Sequence, residues 1–257
     1  ISSAASDVYK RQINDLSKKE IVELIEFANN FIDEEGNFRK EDLFPEKVVA
    51  NVFCEPSTRT KSSFAIAAKN LGCSLLDFDV ENSSIQKGES IFETIDALNL
   101  MGVDLCVFRH SDSVIRELAD CLPKMSFINA GEGAISHPTQ ALLDIKTIID
   151  HKKTLDGLNI VIVGDLDHSR VTSSFVEGVS NFDLGSLTFS GHPEMCNKYQ
   201  SSRFGKYEPN LEKALANAKI KDETKKLSKR EKVVKKEKTI QSPLDTINPA
   251  NKKKKKD

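Results

Sequence analysis

The stretch "NVFCEPSTRTKSSFAIAAKNLG", residues 51–72, sets Ser57, Thr58, Arg59 and Thr60 between an apolar run of strand character and a run of helical character. A strand ending near Glu55 and a helix beginning at Ser57 or Thr58 leave free backbone N–H groups, and the positive end of the helix dipole, at the strand's carboxyl end. Three hydroxyls and the guanidinium fork add the donors that a phosphate dianion requires. This is an anion cradle built without glycines. The same residues also fit a plainer reading, in which Ser57 caps the helix and Arg59 is a solvated charge.

Two further stretches favour the cradle. "FRHSDS" places Arg109 and His110 directly after the strand-like run "DLCVF", and "GEGAISHPTQALLD" places His137, Thr139 and Gln140 at a helix start after the run "SFINA". Open α/β sheets bind ligands at the carboxyl ends of their strands. Three such ends therefore offer a phosphate cradle, a fixed cation, an imidazole and an amide. His110 is expected to stabilise its loop, His168 and His192 have no motif around them, and Lys61 and Lys69 are expected on the solvated face of the helix after the cradle.

The elements that must hold these residues alternate along the chain. "LSKKEIVELIEFANNFI" has apolar residues at helical spacing with Ser17 as its N-cap. The runs "VVANVF", "SLLDFDV", "DLCVF", "SFINA", "NIVIVG" and "SLTFS" read as strands, separated by helical segments. Alternation of this kind predicts an α/β protein of parallel sheets flanked by helices and joined by right-handed crossovers. "HPTQALLDIKTIIDHKK" reads as one long helix opened by Pro138, and "TLDGLNIVIVGDL" restarts the strand pattern, so a domain boundary falls near residue 152.

The 257 residues are 39% hydrophobic and 30% charged, with no apolar run long enough to span a bilayer. Cys54, Cys73, Cys106, Cys121 and Cys196 are scattered without metal-ligand spacing, so neither a metal nor an organic cofactor is expected, and a reducing cytoplasm is the expected location. The net charge of −2 conceals a division: from Lys219 to Asp257 there are 15 Lys or Arg against 6 Asp or Glu, a balance of +9, and the preceding residues carry −11. Residues 1–12, "ISSAASDVYKRQ", have no period and no signal-peptide character and are expected to be a non-native leader. Residues 221–257 hold few large apolar groups and end in a lysine run, so a disordered basic tail is expected there.

"STRTKSSF", "KGES", "FRH", "HPTQALLD" and "VGDLDHSR", in this order and spacing, resemble the aspartate/ornithine carbamoyltransferase family, with Lys87 in "QKGES" favouring its aspartate catalytic chains. The resemblance runs from about residue 14 to about residue 220. It implies that Ser57, Thr58, Arg59 and Thr60 grip the phosphate of carbamoyl phosphate and that Arg109 bridges phosphate and carbonyl oxygen. It also implies that His137 bonds that oxygen and Gln140 orients the carbamoyl NH2, so that Arg59, Thr60, Arg109, His137 and Gln140 form the catalytic set. Arg170 is similar to an arginine that holds a carboxylate of L-aspartate. Ser83 and Lys87 resemble residues of a mobile loop that enters a neighbouring subunit's site, which implies a homotrimer with shared active sites; regulatory chains are a further partner class to test. The implied division is a carbamoyl-phosphate-binding domain over residues 13–151 and a partial aspartate-binding domain over residues 152–220.

After "EPNLEKALANAKI" the family's further aspartate-binding motifs and returning helices are not found, and the lysine-rich tail follows. The second domain is therefore expected to be incomplete, and the abrupt change at about residue 220 motivates the hypothesis of a frameshift or misassembly there. The expected activity is carbamoyl transfer to L-aspartate in pyrimidine synthesis. Ornithine carbamoyltransfer, and a noncatalytic carbamoyl-phosphate-binding or assembly protein, are the alternatives. Neither a nucleic-acid partner nor a membrane partner is expected; the lysine tail is read as solvated.

Overall fold

The computed structural model describes residues 12–133 and 135–218. The proposed tail, and the proposed leader apart from Gln12, lie outside the described residues. A short 3-10 turn, Ile13–Asp15, leads into α1 (Lys18–Ala28). Ser17 caps α1 as expected, accepting from Glu20 N, while the Glu20 carboxylate accepts from Ser17 N at 2.9 Å.

The first sheet and its helices follow as β1 (Val48–Phe53), α2 (Thr58–Asn70), β2 (Ser74–Phe78), α3 (Ile91–Leu100), β3 (Leu105–His110), α4 (Ile115–Cys121) and β4 (Ser126–Glu132). The four strands are parallel in the order β2-β1-β3-β4. The run "VVANVF" is almost wholly buried in β1, as a strand covered by helices on both faces should be. β2 forms an edge and is largely open to solvent. Phe108 of β3 is completely buried, which contributes on the order of 2 kcal/mol by the usual area relation.

α5 (Pro138–Lys152) then leads to β5 (Asn159–Val163), α6 (Arg170–Val179), β6 (Ser186–Ser190), α7 (Asn197–Gln200), β7 (Lys206–Tyr207) and α8 (Leu211–Ala218). β5, β6 and β7 make a second parallel sheet in that order. Ile21 and Ile25 of α1 and Ala141 and Ile145 of α5 share one core with Phe175 and Val179 of α6 and with Leu187 and Phe189 of β6. α1 and α5 are thereby seated against the second sheet's layer, and this fixes α6, which carries Arg170, beside the strand tips of the first sheet.

Candidate functional site

A cleft of about 1220 Å³ opens at the carboxyl ends of β1, β3 and β4. Among its lining residues are Ser57, Thr58, Arg59, Thr60, Arg109, His137, Gln140 and Arg170. These come from two parallel strand-to-helix turns, one strand end and the first residue of α6. Ser83 and Lys87 lie elsewhere: Ser83 caps the 3-10 turn Ser84–Lys87, its Oγ donating to Val80 O at 2.8 Å, and Lys87 is exposed.

The cradle is formed by the turn between β1 and α2. Asn51 on β1 is buried, and its Nδ2 donates to Lys61 O at 3.2 Å, tying the first turn of α2 to the strand. Ser57 occupies the N-cap position, but its side chain makes no capping bond. The plainer reading of Ser57 as a helix cap is therefore corrected: it holds the cap position, with φ −161° and ψ 86°, but its hydroxyl bonds none of the helix N–H groups. With no acidic residue in the first turn of α2, the dipole's positive end is left uncompensated. Arg59 is exposed and makes no ion pair among the described residues. Lys61, expected to be solvated, instead reaches Asp77 of β2 at 2.8 Å.

Arg109 is the penultimate residue of β3 and is 8% exposed. Its Nη1 donates to Ala130 O at 3.4 Å. Its Nε lies 3.2 Å from Glu55 Oε2, yet the N–H is not aligned for a hydrogen bond, so the pair is ionic and the donor is unmet. Arg170 Nη1 bonds Gly133 O at 2.6 Å and lies 3.2 Å from the same Glu55 oxygen. Glu55 thus sits between two arginines from different sheets' elements. Burial, then the Arg170 charge, pushes the Arg109 guanidinium's pKa down, while Glu55 pushes it back up. Gly131, at φ +128°, allows this approach: a Cβ there would meet Arg109 Nη1 at 3.0 Å.

His137 precedes Pro138, which opens α5. Its backbone N–H donates to Ser174 Oγ of α6 at 2.8 Å. Burial first, then the charges of Arg170 and Arg109, lower the imidazole pKa to about 4. At neutral pH the ring is uncharged. Thr139 Oγ1 lies 3.4 Å from Nδ1, a contact that either ring tautomer can make; in the tautomer whose Nδ1 accepts, Nε2 carries the N–H. Gln140 Nε2 donates to Asp144 Oδ1 at 3.0 Å, and its Oε1 takes no hydrogen bond among the described residues. Such an amide has an acceptor to offer.

Cys54 borders the cradle, with its thiol pushed up to about 11 by burial and then by Glu55, so it stays protonated and is a poor nucleophile. His110 Nδ1 accepts from Asp112 N at 2.9 Å, a loop-bracing contact. Among the described residues no group of three or more His, Cys, Asp or Glu could hold a metal ion, and no helix is long and apolar enough to cross a membrane.

Residues 11–150 match the family described as aspartate/ornithine carbamoyltransferase, carbamoyl-P binding domain. The chain belongs to the aspartate/ornithine carbamoyltransferase family. Within that family, the chain is 39% identical over 195 residues to the aspartate carbamoyltransferase catalytic subunit of Streptococcus gordonii, covering 75% of this chain and 61% of that protein. It is 42% identical over 171 residues to the corresponding subunit of Sulfurimonas denitrificans, covering 66% of this chain and 57% of that protein. The chain therefore spans under two thirds of the length of these relatives. The fold is similar to aspartate transcarbamoylase from Trypanosoma cruzi in complex with aspartate and phosphate, with a TM-score of 0.66, 29% identity and coverage of 75% of this chain and 64% of that one. The same enzyme in complex with carbamoyl phosphate and aspartate gives a TM-score of 0.64 at 32% identity, covering 73% and 59%.

The sequence reading did not single out Glu55, Asn51 or Ser174. Glu55 carries a visible signal, a lone carboxylate two residues before a cluster of anion donors, where it can only repel a phosphate unless cations hold it. Asn51 and Ser174 act through contacts between elements and have no local signature.

Proposed function

We propose that this chain carries the carbamoyl-phosphate half of an aspartate carbamoyltransferase, which transfers the carbamoyl group of carbamoyl phosphate to the amine of L-aspartate, giving N-carbamoyl-L-aspartate and phosphate in pyrimidine synthesis. The observation that carries the reading is the convergence of an uncapped Ser57, a buried Arg109 with an unmet donor and a neutral His137 on one cleft. The names of the relatives favour aspartate over ornithine as acceptor.

In this reading Ser57, Thr58, Arg59 and Thr60 hold the phosphate with hydroxyls, backbone N–H groups and a guanidinium. The aspartate amine attacks the carbamoyl carbon, a C–N bond forms, and the carbonyl oxygen becomes an oxyanion. Arg109, Thr60 and the N–H of His137 stabilise that oxygen, and an imidazole held neutral by its surroundings donates without demanding charge neutralisation. Gln140 Oε1 accepts from the carbamoyl NH2. The C–O bond to phosphate then breaks, and the departing phosphate takes the amine proton. Neither a serine nor a cysteine nucleophile is used, and the rate derives from holding two anions together beside aimed donors. Arg170 exchanges Glu55 for a carboxylate of aspartate.

The two-domain division at residues 151 and 152, a homotrimer in which Ser83 and Lys87 serve the neighbouring subunit's cleft, regulatory chains and a cytoplasmic setting belong to the same proposal. The exposure of Lys87, and its absence from the residues lining its own chain's cleft, support the shared site.

The test is an assay with labelled carbamoyl phosphate, offering aspartate and ornithine separately, on this chain and on a chain extended to the relatives' full length. Carbamoyl aspartate from the extended chain is expected. Carbamoyl ornithine alone, or a chain of either length that binds no phosphate, would overturn the reading.

A further inference from the structure

Glu132, the last residue of β4, is 2% exposed and has no cationic partner among the described residues. Its Oε1 accepts from Ser113 Oγ at 2.9 Å and from Ile115 N, the first N–H of α4, at 3.4 Å. Its Oε2 accepts from Gln12 Nε2 at 3.1 Å and from Asn129 Nδ2 at 3.3 Å. Burying a carboxylate is costly, and neutral donors on both oxygens offset that cost. Such an arrangement holds several elements in one geometry and contributes little else.

What it holds is the corner between β4 and His137. Asn129 Oδ1, on the other end of the amide that Glu132 fixes, accepts from Gly131 N at 2.9 Å. Glu132 N donates to Ser136 O at 2.9 Å, and Gly133 N to His110 O at 2.9 Å. This corner presents two carbonyls to the cleft: Ala130 O accepts from Arg109 and Gly133 O accepts from Arg170. The loop that follows Arg109 is tied to the same carboxylate through Ser113 and Ile115.

We propose that Glu132 is a positioning residue for the anion site, fixing through the Ala130–Gly133 corner the two carbonyls that aim the guanidinium groups of Arg109 and Arg170. The proposal rests on the carbamoyl-phosphate reading for its consequence on binding. Its consequence for arginine geometry is independent of that reading.

The test uses the full 257-residue chain, wild type and the variants Glu132→Gln and Ser113→Ala, titrated with carbamoyl phosphate by calorimetry and followed by ¹H–¹⁵N spectra of the arginine Nε–Hε groups. Glu132→Gln puts an NH2 against N–H and O–H donors, so a roughly 10-fold weaker affinity is expected, with shifted Arg109 and Arg170 resonances. A merely structural role would lower the melting temperature and leave those resonances in place. Ser113→Ala removes one donor and is expected to weaken binding about 3-fold. Unchanged arginine resonances in a folded Glu132→Gln chain would overturn the proposal. If that variant does not fold, unchanged affinity and resonances in Ser113→Ala would do so. A wild-type chain that binds no carbamoyl phosphate overturns the functional reading, and the arginine resonances then decide on Glu132 alone.

Discussion

The strand tips of the two sheets treat their polar groups differently. At the second sheet, the groups are used locally: Ser169 Oγ caps α6 by accepting from Thr172 N at 3.1 Å, Asp167 accepts from Asn197 N at 2.7 Å and Lys198 N at 2.9 Å, and the exposed His168 is paired with Asp165 at 2.9 Å. At the first sheet they are left over. Ser57 caps nothing, Arg109 Nε faces Glu55 without an aligned hydrogen bond, and Ser136 Oγ, next to His137, is buried without a hydrogen-bond partner. Ser17 and Ser90, outside the cleft, do cap their helices. Donors that a fold could have satisfied at small cost, and did not, mark where a ligand belongs.

Removing the most committed of these donors should have the largest effect. Arg109→Ala is expected to weaken phosphate binding by about 100-fold or more, with a smaller effect on stability because Glu55 keeps Arg170 as its ionic partner. Calorimetric titration and denaturant melts measure the two effects, and near-normal affinity would erase the distinction between the sheets.

A pair of serines sharpens the contrast. Ser17→Ala should cost about 1 kcal/mol of stability and leave phosphate affinity untouched, since that hydroxyl is spent on its helix. Ser57→Ala should reverse the pattern, with affinity falling roughly 10-fold and stability changing by less than about 0.5 kcal/mol. Equal stability losses in the two variants would show that Ser57 is an ordinary cap after all.

The imidazole makes a pH-dependent contribution. The folded pKa of His137, about 4, lies below the ordinary 6.5, so the unfolded chain takes up a proton first as pH falls. Stability should therefore decline from about pH 6.5 toward about pH 4 and be insensitive to this group above that window. Melting curves of His137→Gln, compared with wild type across the window, should show a shallower decline. The smallest effect is expected at the second sheet's tip, where His168→Ala should change neither phosphate affinity nor stability by more than about 0.5 kcal/mol, as for exposed pairs generally.

Much of this architecture is legible in the sequence because parallel strands are buried on both faces and declare themselves as apolar runs. "VVANVF" and "SLTFS" are the spans of β1 and β6. β7 is not legible: Lys206 and Tyr207 are a strand only because they pair with Thr188 and Phe189. The cradle's donors can be read from residue type and spacing. Glu55 is visible as a lone carboxylate beside those donors, but its partners are not, since they are Arg170, 115 positions away, and Arg109 from another strand. Lys61 is misread for a related reason, since only the parallel pairing of β1 with β2 brings Asp77 within its reach. Gln12, grouped with the leader on sequence grounds, bonds the Glu132 carboxylate, a contact that spans 120 positions and leaves no local trace.

Gly131 carries one last implication, for anyone diversifying this protein. Its φ of +128° disfavours every side chain, and a Cβ would press on Arg109 Nη1 at 3.0 Å and stand 3.6 Å from Arg170 Cζ. Even a single methyl group would require the Arg109 arm to give way, while it would rest in ordinary contact with Arg170. A library randomised at this codon and sorted for ligand capture should return glycine from nearly every clone, whereas the same experiment at Gly36, where nothing lies within 4 Å, should be restrained by the backbone angle alone.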